Sequence, residues 1–173
     1  MWQALPPYLG GKRRLCPLIF REIDRLVPRR DWPDRVFLDG FLGGGSVSLF
    51  AKAQGFQVVS TDIASRAITV GHALISNSRV RLRREDVLRL ANDTGEEPGV
   101  VEQRYVPSTF TREQARFLDR ALAAANATGD EARAALTRLL ALRVALLAHP
   151  MSQIRSGTIH RLEPGEYESI TES

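Results

Sequence analysis

Between Lys12 and Val27 the apolar residues Leu15, Leu18, Ile19, Ile23, Leu26 and Val27 recur at helical spacing, and Pro17 is tolerable only in the first turn of such a helix. The spacing therefore predicts that Tyr8 to Lys12 is a loop entering a helix. A short buried strand is expected at Val36 to Leu38, a helix from Ser46 to about Gln54 stopped by Gly55, and a second strand at Phe56 to Ser60. Strand, helix and strand in that order normally close right-handed, with the strands parallel. Ala64 to Leu74 is expected to be helical, and Glu85 to Leu90 a short helical segment in which Asp86 suits a first turn.

The last third has a different texture. Thr111 and Gln114 have the spacing of a capping box opening a helix with Phe117, Leu118, Ala121 and Leu122. Asp130 is placed to cap a second helix carrying Leu136, Leu139, Leu140, Val144, Leu146 and Leu147, which ends before His149 and Pro150. The short connection between them predicts an antiparallel helical pair. Three regions follow: residues 1–91 as an α/β portion, 92–110 as a loop or linker, and 111–173 as the helical pair with a polar, basic loop.

Composition narrows the class. The chain has 173 residues, 43% of them hydrophobic and 25% charged, which is ordinary for a folded domain with a real core. Lys12 and Lys52 are its lysines, all other basic side chains apart from histidine being arginine, and the formal net charge of +4 mildly favours an anionic partner. Biased composition would give the same excess of arginine. The run with Arg79, Arg81, Arg83 and Arg84 reads first as a solvated face and second as a phosphate contact. The single cysteine, Cys16, can form neither an internal disulfide nor a multi-cysteine metal site, and His72, His149 and His160 lack ligand spacing, so no metal is expected. The apolar stretch 134–148 is interrupted by Arg138 and Arg143, no membrane span is expected, and the cytoplasm is the simplest compartment.

The residues with chemical content are Gly10-Gly11-Lys12, the turn Asp39-Gly40-Phe41-Leu42-Gly43-Gly44-Gly45-Ser46, and Asp62 with Ile63 after the second strand. In a parallel sheet the carboxyl ends of adjacent strands share one crevice, which would bring the glycine turn and Asp62 side by side. An acid there can accept hydrogen bonds from both hydroxyls of a ribose. No G-x-x-x-x-G-K-[ST] motif is present, and a G-x-G-x-x-G fingerprint built on Gly43 and Gly45 would need glycine where Ser48 stands. Asp39 would repel a pyrophosphate but suits a cofactor with a positive centre and an ammonium, as S-adenosylmethionine has. Simpler roles remain beside these: the glycines as a flexible turn, Asp62 as a helix cap, Lys12 as a solvated first-turn residue.

In that order, PYLGGKRRL, FLDGFLGGGSVSLF and VVSTDI resemble the opening motifs of the Dam-like, D12 class of DNA adenine-N6 methyltransferases. The resemblance is specific over residues 7–63 and looser through YVPSTFTREQARFLD. It implies a Rossmann-like S-adenosylmethionine-dependent core with a helical recognition segment. It further implies that Tyr8, Gly10, Gly11 and Lys12 line the methionine and adenine side of the cofactor, that Asp39 to Ser46 wrap its methionine portion, and that Asp62, with Ile63 beside it, holds the ribose. Double-stranded DNA would be the substrate, in restriction-modification or other methylation, and Arg155, Ser156, Thr158, His160 and Arg161 would contact it.

The family's catalytic Asp-Pro-Pro-Tyr does not occur in the sequence. In the family that loop accepts the adenine amino group and stacks the flipped base. The expectation is accordingly a cofactor-binding and recognition portion with no catalytic residue of its own, completed by a missing catalytic half that is either a complementary chain or a part lost by truncation. A non-catalytic DNA-binding module and a nicotinamide-dinucleotide-binding fragment stand as alternatives.

Overall fold

A computed structural model describes residues 2–6, 10–92 and 97–148. The chain divides into two compact units, Met1–Arg79 and the remainder from Val80.

In the first unit, α1 (Cys16–Leu26) is followed by a 3-10 segment (Arg29–Asp34), β1 (Val36–Asp39), α2 (Ser46–Ala53), β2 (Gln57–Ser60) and α3 (Ser65–Val70). Pro17 falls in the first turn of α1, as its missing N–H requires. The helix starts at Cys16, after a turn in which the Lys12 carbonyl accepts the N–H groups of Leu15 (2.9 Å) and Cys16 (3.1 Å). Gly55, with φ +100°, ends the α2 region in a backbone conformation natural only to glycine.

β1 and β2 pair in parallel, with Val36 opposite Gln57 and Asp39 opposite Ser60. The pair is the expected β–α–β unit, and β1 runs one residue further than expected, to Asp39. One face of the sheet contributes Phe37 and Val58 to an aromatic core built on Phe20, Trp32 and Phe56, with Phe50 and Ala51 of α2. Trp32 stacks on Phe56 at 4.8 Å between ring centres and spends its indole N–H on the Val27 carbonyl at 2.8 Å. Among the described residues the other face is bare. Val36, Leu38 and Val59 are 61%, 70% and 53% exposed, although parallel strands are normally covered on both sides.

The helix expected over 64–74 is shorter as an α-helix and longer as a whole. α3 widens at Gly71 into a π-helical turn running to Ser76. Lys52 of α2 stabilises that end: its ammonium donates to the carbonyls of Leu74 and Ile75 at 2.8 Å each and to that of Asn77.

The described residues of the second unit form helices: α4 (Arg84–Asn92), α5 (Val100–Tyr105), α6 (Arg112–Ala127) and α7 (Glu131–Ala148). α5 lies inside the stretch 92–110 expected to be loop. It is only six residues long, and its N-terminus is capped from another element: Asp119 of α6 accepts the N–H groups of Val101 and Glu102, each at 2.9 Å. No local spacing could announce it. The capping box at Thr111 and Gln114 is present in both directions, and Asp130 accepts the Arg133 N–H at 3.0 Å. Phe117, Leu118 and Ala121 of α6 pack with Ala141 and Val144 of α7. Arg138 reaches Asn126 at 2.9 Å nearer the connection, so the two helices run antiparallel.

Candidate functional site

Where β1 passes into α2 the backbone must reverse within a few residues. Gly43 and Gly45 do so with φ of +53° and +75°, and Gly45 occupies the cap position of α2. The turn is tied to the end of β2 twice. The Leu42 N–H donates to the Thr61 carbonyl at 3.0 Å, and the Gly43 N–H donates to Oδ2 of Asp62 at 2.8 Å. The other Asp62 oxygen accepts the N–H of Ala64 at 2.9 Å, fixing the entry to α3. These donors, Ala64 first, then Gly43 and Ile63, hold the Asp62 carboxyl below the usual carboxylate range, with burial opposing them.

Asp39 ends β1 and is held as firmly. Its Oδ1 accepts the Phe41 N–H at 3.2 Å and its Oδ2 accepts the Ser48 hydroxyl at 2.6 Å. Together these segments wall a cleft of about 520 Å³ at the carboxyl ends of both strands. Gly10, Gly11, Lys12, Asp39, Gly40, Phe41, Gly43, Gly44, Ser46 and Asp62 line it, with Phe37, Leu38, Leu42 and Val47 behind them. Lys12 turns its ammonium back on the Gly10 carbonyl at 2.9 Å. Two carboxylates and one ammonium in a concave site repel a diphosphate and attract a cation.

Two of the expected site residues are not in that wall. Gly45 is buried beneath it: a Cβ there would lie 2.7 Å from Cγ1 of Val70, so this glycine serves close packing of the turn on α3. Ile63 is fully exposed, and Phe41, at the rim, is 92% exposed. Tyr8 lies outside the described residues, as do Arg155, Ser156, Thr158, His160, Arg161, His149 and Pro150. Among the described residues no group of three or more histidine, cysteine or acidic side chains could hold a metal, and no helix is long and apolar enough to cross a membrane.

Ser48, which in the sequence only spoils a dinucleotide fingerprint, is the side chain that donates to Asp39 beside the cleft. Its spacing from Asp39, at the start of a helix that follows a strand, was the available signal. Asp86, read as a first-turn acid, accepts the Arg83 N–H at 2.8 Å and pairs with Arg133 at 3.2 Å.

A parallel β–α–β unit with a glycine turn and an acid at each strand end defines an α/β protein with its crevice at the carboxyl ends of the strands. The family model for the D12 class N6 adenine-specific DNA methyltransferases matches residues 8–131, and the chain belongs to that family. The match covers the whole cleft and extends through α6 to the first residue of α7. No curated protein and no solved structure matches the chain.

Proposed function

We propose that the chain binds S-adenosylmethionine in the cleft between the glycine turn and Asp62, as the cofactor and target-recognition portion of a site-specific DNA adenine-N6 methyltransferase. The observation that carries this reading is the pairing of Asp39 and Asp62 at adjoining strand ends inside a family match. The glycine turn gives the methionyl portion an approach free of side chains, and Asp39 offers its ammonium a counter-charge. Asp62 has already committed acceptor sites on both oxygens to the backbone. A carboxylate has about four such sites, so a ribose hydroxyl can still be taken by those that remain.

The cofactor would supply an electrophilic methyl on a sulfonium. What this chain's residues contribute is position: the turn fixes the amino-acid end, Asp62 fixes the sugar, and the methyl is thereby aimed from the crevice. Acceptance of the adenine amino group belongs, in this reading, to the Asp-Pro-Pro-Tyr loop that the sequence lacks, and methyl transfer waits for the catalytic half that carries it, whether on a separate chain or on a longer form of this one. The bare sheet face at Val36, Leu38 and Val59 is consistent with a partner that adds cover and strands to a Rossmann-like sheet. The segment from α4 onward would contact duplex DNA, together with Arg155, Ser156, Thr158, His160 and Arg161, in the cytoplasm.

Calorimetric titration with S-adenosylmethionine tests the reading, using Gly40→Val as the blocked variant. Gly40 lines the cleft, and a Cβ built on it meets nothing within 4 Å, so the substitution fills the site and spares the fold. Saturable binding lost in Gly40→Val supports the assignment, and equal binding in both removes the glycine turn from it. Transfer of labelled methyl to duplex DNA by the chain alone would refute the need for a completing half.

A further inference from the structure

Ser48 lies on the first turn of α2 with no exposed surface, and its hydroxyl donates to Oδ2 of Asp39 at 2.6 Å. That distance is in the short range of hydroxyl donors to ionised carboxylates. The opposite oxygen of Asp39 accepts the Phe41 N–H. Two donors on two different oxygens fix the carboxylate about both of its side-chain torsions, on the wall of the cleft that Asp39 lines.

Building on the cofactor reading above, we propose that Ser48 is a positioning residue. It holds Asp39 in the orientation that receives the ammonium of the cofactor's methionyl end, and it makes the glycine turn selective for a cation over a diphosphate. The position is telling. In a dinucleotide turn the residue at 48 would be the third glycine, allowing close packing of helix on strand near the pyrophosphate. Here the helix and the strand end are joined by a hydrogen bond that pins a negative charge at the turn. Ser48 and Phe41 occupy one acceptor site on each oxygen of the Asp39 carboxylate, leaving sites for an incoming ammonium.

The test separates this role from a plain tie between α2 and β1. S-adenosylmethionine and 5′-methylthioadenosine share a nucleoside, but the second has a neutral thioether in place of the sulfonium and lacks the amino-acid end with its ammonium. Both are titrated calorimetrically into the unmodified chain, Ser48→Ala, Asp39→Asn and the double variant. Ser48→Ala is expected to bind S-adenosylmethionine about tenfold more weakly while methylthioadenosine stays within about twofold, as loss of a charge-oriented contact predicts. In the Asp39→Asn background the same substitution should cost nothing further. Equal weakening of both ligands, or an additive loss in the double variant, overturns the proposal, as does unchanged affinity for S-adenosylmethionine. If Ser48→Ala melts early, Ser48→Cys nearly keeps the volume with a poor donor and is read against the same outcomes. Failure of the unmodified chain to bind S-adenosylmethionine overturns the cofactor reading and this inference with it, and is seen without any variant.

Discussion

Asp62 accepts the N–H of Gly43 at 2.8 Å, so the acid at the end of β2 is a strut of the glycine turn as well as a wall of the cleft. Its carboxyl is held below its ordinary range by the N–H groups of Ala64, Gly43 and Ile63. A group with a depressed folded-state pKa adds stability that is fully present above its unfolded value and is lost as pH falls through the folded one. Melting of the chain measured from about pH 7 down to about pH 3 should therefore show an acid-side decline. Asp62→Asn should remove part of that slope, and an unchanged profile would mean that these bonds do not persist in solution.

Gly45 and Gly10 both have positive φ, yet they should respond differently to alanine. A Cβ at Gly10 meets nothing within 4 Å, whereas at Gly45 it meets Val70 at 2.7 Å and Leu5 at 3.4 Å. Gly10→Ala is expected to cost about 1–2 kcal/mol from backbone strain alone. Gly45→Ala adds overpacking and should cost about 2–4 kcal/mol in denaturant titration. Equal costs would show that the turn relaxes away from α3.

Lys52 closes the π-helical turn by donating to three carbonyls, and burial lowers its pKa. Lys52→Met keeps the stem of the side chain and leaves those carbonyls without this donor. A loss of about 1–3 kcal/mol is expected, with faster amide exchange over residues 71–77 as the local signature.

Gly99 precedes α5, and a Cβ on it would stand 2.3 Å from Cγ of Asp119. Gly99→Ala must push aside the carboxylate that caps α5, so it should cost as much as Asp119→Ala, about 1–2 kcal/mol. The double variant should be less destabilised than the sum of the two, because both remove one cap.

Cys16 is fully buried, and burial pushes its thiol up. Its S–H faces the carbonyls of Lys12 at 3.3 Å and Ser46 at 3.7 Å, between the first loop and α2. Alkylation should be at least about a hundredfold slower in the folded chain than in denaturant, which makes the rate a reporter of opening in the first unit.

Local signals predicted local structure well. The strand-turn-helix at Val36 to Ser46, the stop at Gly55 and the capping box at Thr111 each depend on residues a few positions apart, and each is found. What pattern reading missed depends on distant partners. α5 is capped by Asp119, seventeen or more residues away in sequence, and the π-helical turn is closed by a lysine from α2. Of the candidate site, the glycine turn and Asp62 were legible as neighbours because parallel strands place their carboxyl ends together. Their mutual hydrogen bond was not, since nothing in composition says that a cleft-lining acid also braces the backbone. Gly45 looked like its neighbours in the sequence, and the close approach of Val70 and Leu5 that sets its role comes from distant parts of the chain.

The uncovered side of the β1–β2 pair has a consequence for the life of the chain in a cell. Three aliphatic side chains in a row on a pleated surface are what chaperones and proteases sample when they sort newly made proteins. A chain that leaves Val36, Leu38 and Val59 uncovered is therefore open to that sorting for as long as they stay so.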